Sequence, residues 1–230
     1  MNSNVQELKA VVFDLDGVIT DTAEHHYLAW KMIGDELGLP FTREFNENLK
    51  GVSRMESLRL LLSLAKEPLR YSDEELNALA DRKNELYKEL IQRIAPEDAL
   101  PGIPELLADL KRRGVKTAIA SASKNAFTVI DNLRMNDRFD VIVDAATIRN
   151  SKPDPEVFLR AAELLGVEPS ACVGVEDAAA GVEAIRGANM ASVAIGDAAS
   201  FPGADLVLAS TKELAFEALL QAWERRRNAR

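Results

Sequence analysis

Short apolar runs punctuate the chain at 10–13, 115–120, 139–143, 171–175, 191–195 and 205–208. They are rich in β-branched residues and separated by amphipathic segments, which predicts strands buried on both faces. From about residue 100 onward, apolar residues between these runs recur at helical spacing, predicting helices over 103–113, 126–134, 155–165, 178–188 and 212–227. Strand and helix in alternation give an α/β fold with a doubly wound parallel sheet.

The first strand breaks this rhythm. Before the second comes a stretch with only helical periodicity, predicted over 22–37, 53–65 and 72–94. Ser72 followed by Glu75 matches a capping box at the start of the third of these. The expected organisation is a core of residues 1–20 and 95–230, with an all-helical cap of residues 21–94 inserted after the first strand. Hinges are expected near 17–22 and 94–101, the latter holding Pro96, Pro101 and Gly102. The segments 64–71 and 195–202 are the least determined.

Composition narrows the function classes. The 230 residues are 47% hydrophobic, enough for a large core, and the formal charge of −9 disfavours nonspecific binding to nucleic acid or anionic membrane. The opening MNSNVQELKA has no apolar export core, and no run approaches the roughly 18 apolar residues of a membrane span. A cytoplasmic protein is expected, and a monomer, since the cap must move. Cys172 is the single cysteine, which excludes an internal disulfide and points to core packing. His25 and His26 are adjacent and are the only histidines, so a helical H-E-x-x-H zinc site is absent. The basic tail RRRNAR suits a helix C-terminus.

In an open parallel sheet, ligands gather beyond the carboxyl ends of the strands. The residues there are Asp14 and Asp16, Ser121, Lys152, and Glu176 with Asp177. Two unit charges about 4 Å apart repel by roughly 4 kcal/mol at a near-surface dielectric, so a carboxylate pair at one strand end calls for a cation or a transferring group. Carboxylates, a hydroxyl and an ammonium suit phosphoryl transfer assisted by Mg²⁺. A calcium-hand loop starting at Asp14 is excluded, because Ile19 and His25 stand where glycine and glutamate are needed. Each residue also has a plainer reading. Ser121 could serve as a turn residue, Asp177 as a cap for the helix from 178, and Lys152 as a solvated charge.

FDLDG with the following Thr20 and Thr22, SAS at 121–123, SKPDP at 151–155 and GVED at 174–177 together resemble the four motifs of the haloacid dehalogenase superfamily of phosphotransferases. That resemblance implies a Rossmann-like core with a mobile cap. It implies Asp14 as the nucleophile that becomes an aspartyl phosphate and Asp16 as general acid/base. Ser121, Ala122 and Lys152 would bind the transferring phosphoryl group. Mg²⁺ would sit on Asp14, the backbone carbonyl of Asp16, Glu176 and Asp177.

Three longer strings, DGVITDTAEHHYLAW at 16–30, NLKGVSRMES at 48–57 and SASKN at 121–125, are similar to the β-phosphoglucomutase subgroup. By that similarity Lys50, Gly51, Val52, Ser53 and Arg54 form a cap substrate loop. Arg54 would hold the non-transferring phosphate together with Ser123, Lys124 and Asn125. An arginine fork fits a phosphate through two parallel hydrogen bonds, and a helix start after Asn125 would add attraction. Ser57 and Lys83 are further cap contributors, Trp30 would pack beside the sugar, and His26 would pair with the acid/base group. The plainer alternatives are a solvated helix start for Lys50 and Arg54, a surface turn at 123–125 and a structural helix histidine at His26. The implied reaction interconverts β-D-glucose 1-phosphate and β-D-glucose 6-phosphate through β-glucose 1,6-bisphosphate. A sugar-phosphate phosphatase and a non-catalytic phosphosugar-binding protein are the alternatives.

Overall fold

The computed structural model describes residues 7–67 and 70–229. Residues 1–6 of the expected core segment, Pro68 within 64–71, and Arg230 of the basic tail lie outside the described residues. Six parallel strands form one sheet in the order β3-β2-β1-β4-β5-β6. They are β1 (Ala10–Phe13), β2 (Lys116–Ile119), β3 (Val141–Ile142), β4 (Cys172–Glu176), β5 (Ala191–Ile195) and β6 (Leu206–Leu208).

The central strand shows why its sequence is apolar throughout. Val11 and Phe13 enter one cluster, against α5 (Ile103–Arg113), α6 (Ala126–Asn132) and α9 (Phe216–Asn228), while Ala10 and Val12 enter another, against α7 (Glu156–Leu165) and α8 (Ala179–Gly187). Successive side chains point to opposite faces, so a strand covered on both sides has no polar face to spend. Cys172 lies in the second cluster, buried as expected.

Between β1 and α5 the regular elements of the described residues are all helices: α1 (Ala23–Glu36), α2 (Arg43–Asn46), α3 (Arg54–Leu62), α4 (Asp73–Ile91) and short 3₁₀ turns. They make their own core from Trp30, Ile33, Phe41, Leu58, Leu61 and Ala80. The Ser72–Glu75 capping box starts α4 as the sequence indicates. Both expected hinges meet in space: Leu100 N donates to Ile19 O at 2.8 Å, and Thr20 Oγ1 donates to Asp98 O at 2.7 Å.

Several elements differ from the sequence reading. The expected helix 126–134 stops at Asn132, because Arg134 turns into the left-handed region at φ 56°. The expected helix 212–227 is a 3₁₀ turn, Thr211–Glu213, followed by α9 from Phe216, with extended backbone at Leu214 and Ala215 between them. The four-residue α2 carries too little periodicity to be seen in sequence. Asp177 does not cap α8; Ala178 occupies that position without a side-chain cap.

Candidate active site

The chain leaves β1 at Asp14, whose N–H donates to Val175 O at 2.9 Å, keeping it level with the end of β4. Gly17 adopts φ +75° so that the loop can turn back, its N–H donating to Thr20 O at 2.9 Å. A side chain there would overlap the Asp177 carboxylate as well as strain the backbone. Beneath Asp14, Lys152 donates to its Oδ1 at 2.6 Å and to Glu176 Oε1 at 2.5 Å, with all three residues buried. The other Glu176 oxygen accepts from Asp177 N and Ala178 N at 2.9 and 3.0 Å.

Burial disfavours the Lys152 ammonium, but Asp14 and Glu176 outweigh this and raise it above the ordinary lysine value. The carboxylates show the converse. Burial, with repulsion from neighbouring acids, pushes Glu176 up to about 7 and Asp177 up to about 8. Single oxygens of Asp14, Glu176 and Asp177 lie within 4.8 Å of one another. Hard oxygen donors this close, short of positive charge, fit a divalent cation such as Mg²⁺.

Asp16 faces the cleft from the same loop with 28% of its side chain exposed, and its Oδ1 has no hydrogen-bond partner. Burial and then Asp14 raise it to about 8, against the pull of Lys152 and Lys83. His26 places Nε2 3.6 Å from Asp16 Oδ2, while its Nδ1 lies 2.7 Å from Lys83 Nζ. Burial, then Lys83, hold His26 well below its ordinary value, so the ring is neutral. In its ammonium form Lys83 can only donate to Nδ1, and the ring proton is then on Nε2, facing Asp16. Lys83 is itself lowered to about 7 by burial and by Arg54.

A cleft of about 440 Å³ opens above this floor. Asp14, Asp16, Asp177, Ser121, Ala122, Ser123, Lys124 and Asn125 line it from the core. His26, Trp30, Lys50, Gly51, Val52, Ser53, Arg54, Ser57 and Lys83 line it from the cap. Lys152 and Glu176 are absent from the lining and reach the site through Asp14. A larger hollow of 760 Å³, behind the hinge at Pro96–Pro101 and the start of α9, holds none of the strand-end residues.

The cap loop descends to the core at Gly51, where φ is +74° and the space for a side chain is bounded by Lys152 Cδ and Ala178 Cβ at 3.6 and 3.7 Å. Lys50 pairs with Glu47 at 2.9 Å, and Ser53 caps α3 by accepting from Glu56 N. Arg54 rests 3.5 Å from Asp81, its guanidinium lowered by burial. Ser57 is buried. Ser121 Oγ accepts from Ser123 N at 3.1 Å, Lys124 is exposed, and Asn125 Nδ2 donates to Asn84 Oδ1 at 2.8 Å. Because α6 has seven residues, under two turns, the positive charge near 123–125 comes from Lys124 rather than from the helix.

Trp30 lines the cleft but is 2% exposed and belongs to the cap core; Lys83 sits over its ring at 5.0 Å. Contact with a sugar would pass through Lys83. Asn77, Asn84 and Arg149 also line the cleft and were not singled out in the sequence. Asn77 and Asn84 are seven residues apart on α4, and that polar stripe is the signal available for them.

The haloacid dehalogenase-like hydrolase family model matches residues 8–189. The chain is 47% identical over 220 residues to β-phosphoglucomutase of Bacillus subtilis, covering 96% of this chain and 97% of that one. It is 32% identical to a phosphorylated carbohydrates phosphatase of Thermotoga maritima, covering 80% and 82%. A crystal structure of β-phosphoglucomutase from Clostridium difficile superposes with a TM-score of 0.93 at 44% identity, covering 97% of this chain and all of that one. With its motifs gathered at the sheet's carboxyl edge beneath a helical cap, the chain belongs to the haloacid dehalogenase-like hydrolase family, on the branch of the β-phosphoglucomutases.

Proposed function

We propose that this cleft interconverts β-D-glucose 1-phosphate and β-D-glucose 6-phosphate, through an aspartyl-phosphate enzyme and β-glucose 1,6-bisphosphate. The chain is a phosphotransferase of the isomerase class. The observation that carries the reading is the cleft's two ends: acids and Lys152 gathered at Asp14, and cationic Arg54 and Lys124 available for a second phosphate.

In the proposed division of labour, an Asp14 carboxylate oxygen attacks phosphorus of the bisphosphate and the bond to the sugar oxygen breaks. Asp16 gives its proton to that oxygen. The raised Asp16 value keeps the proton available near neutrality. The phosphorylated Asp14 then meets β-glucose 1-phosphate: Asp16 removes a proton from the 6-hydroxyl as that oxygen takes the phosphoryl group from Asp14, and the resulting bisphosphate turns round and returns its 1-phosphoryl group to Asp14, leaving β-glucose 6-phosphate. Ser121 faces the spreading phosphoryl charge from the cleft wall, and Lys152 opposes that charge through Asp14. Asp14, Glu176, Asp177 and the Asp16 carbonyl would hold Mg²⁺, which supplies charge neutralisation for the transferring group when bound. Arg54, Ser123, Lys124 and Asn125 hold the other phosphate, the Lys50–Arg54 loop closes over the sugar, and His26 with Lys83 orients Asp16.

The same reading takes residues 21–94 as a cap moving on a core of 1–20 and 95–230. It describes a cytoplasmic monomer with a sugar-phosphate partner and none among nucleic acids; no described helix is long and apolar enough to cross a membrane. The test supplies β-glucose 1-phosphate, Mg²⁺ and a trace of bisphosphate, and follows glucose 6-phosphate and inorganic phosphate together. Isomer far in excess of phosphate is expected; the reverse ratio selects a phosphatase.

A further inference from the structure

Helix α4 belongs to two cores at once. Ala80 packs in the cap cluster, whereas Tyr87 and Ile91, further along the same helix, pack in the cluster beneath the sheet. Two hydrogen bonds tie this second half to α6. Asn132 Nδ2, at the end of α6, donates to Ile91 O at 3.0 Å, and Asn125 Nδ2, just before α6, donates to Asn84 Oδ1 at 2.8 Å. The attachment points are seven residues apart on both elements, so the two ties hold the second half of α4 to the α6 segment at two matched points.

The two ties are mechanically unequal. The Ile91 tie sits among fully buried side chains next to the hinge, whereas Asn84 is half-buried in the cleft wall. Seven helical residues span about 10 Å, so turning α4 by about 10° around its Ile91 end moves Asn84 by about 2 Å, enough to break a hydrogen bond. A cap that lifts about the Ile91 end would therefore break the pair, and one that lies down would make it. It also fixes the Asn125 amide, committing one of its N–H groups to the cap and orienting the rest of the group along the cleft wall beside Lys124.

We infer that Asn84 is a positioning residue that clasps the closed cap to the Asn125 loop and so protects the aspartyl phosphate from water. This rests on the proposed mutase reading. When the clasp is missing, water competes with the sugar hydroxyl: its oxygen bonds to phosphorus, the Asp14–phosphorus bond breaks, a proton passes to Asp16, and inorganic phosphate leaves. A neutral acceptor is needed, because a charge at Asn84 would disturb the phosphate beside it.

The experiment measures inorganic phosphate released per glucose 6-phosphate formed, at saturating β-glucose 1-phosphate and Mg²⁺, for the wild type, Asn84→Ala and Asn84→Gln. Alanine is the better helix former, so α4 is retained. Asn84→Ala is expected to raise the ratio at least fivefold and to raise KM. Asn84→Gln, which keeps an amide acceptor, is expected to return the ratio most of the way. A ratio in Asn84→Ala within twofold of wild type overturns the inference, as does equal leakage from the glutamine variant. Phosphate in excess of isomer from the wild type overturns instead the mutase reading on which the clasp depends.

Discussion

The site's acids are held in a state that water would not allow. Asp16, Glu176 and Asp177 release protons near 3.8 to 4.5 when unfolded, but the metal-free fold keeps them to about 8, 7 and 8 respectively. Across that window the folded protein binds more protons than the unfolded chain, so stability without cation falls as pH rises through it. Bound Mg²⁺ would take the place of the Glu176 and Asp177 protons, whereas the Asp16 carboxyl, outside that acidic group, keeps its own. Thermal melts are expected to show a larger Tm increase on adding excess Mg²⁺ at about pH 8.5 than at about pH 5.5; an increment that shrinks with pH contradicts the assignment. Arg54 makes a separate claim. Its fork can grip a phosphate through two bonds, so Arg54→Lys as well as Arg54→Ala should raise KM for β-glucose 1-phosphate about tenfold or more. Steady-state kinetics with full substrate curves decide this, and an unchanged KM in the lysine variant would assign Arg54 to its Asp81 contact alone.

At the scale of elements, α8 is set so close to β4 that a side chain at Gly181 would overlap the Glu176 carboxylate. Alanine is worth about 1 kcal/mol more than glycine in a helix, while forced overlap typically costs about 1–3 kcal/mol. Here overlap prevails, because the carboxylate is hydrogen-bonded at both oxygens and has nowhere to go. Gly181→Ala is expected to lower Tm and to raise the Mg²⁺ concentration for half-maximal activity about tenfold; an unaffected Mg²⁺ titration would remove Glu176 from the metal site. Such close approaches were not legible in the chain, whereas the strands were, since burial on both faces leaves an unbroken apolar run such as AVVF. The Ser72 capping box was legible because its partners lie three residues apart. The Asn84–Asn125 pair was not, because its members are 41 residues apart and only the folded hinge brings them together. Trp30 reads as a ligand-facing ring in sequence, yet its apolar bulk is taken up by the cap core.

For the whole molecule, motifs distant along the chain meet at one carboxylate, as Lys152 does with Asp14 across 138 residues. The cap brings a loop and a helix over the same point, and in the proposed mechanism chemistry and exclusion of water both depend on its closure. In the proposed mechanism the core captures the phosphoryl group, and its return to a sugar requires the cap. The central claim is that Asp14 passes phosphate between sugar hydroxyls. It is tested most directly by a single turnover with bisphosphate labelled in its phosphates, quenched in acid at successive times and mapped by peptide. The account predicts label appearing transiently on Asp14 and then in sugar phosphate when unlabelled β-glucose 1-phosphate is added. Label that never resides on Asp14, or that passes from it chiefly into inorganic phosphate while acceptor sugar is present, would contradict it.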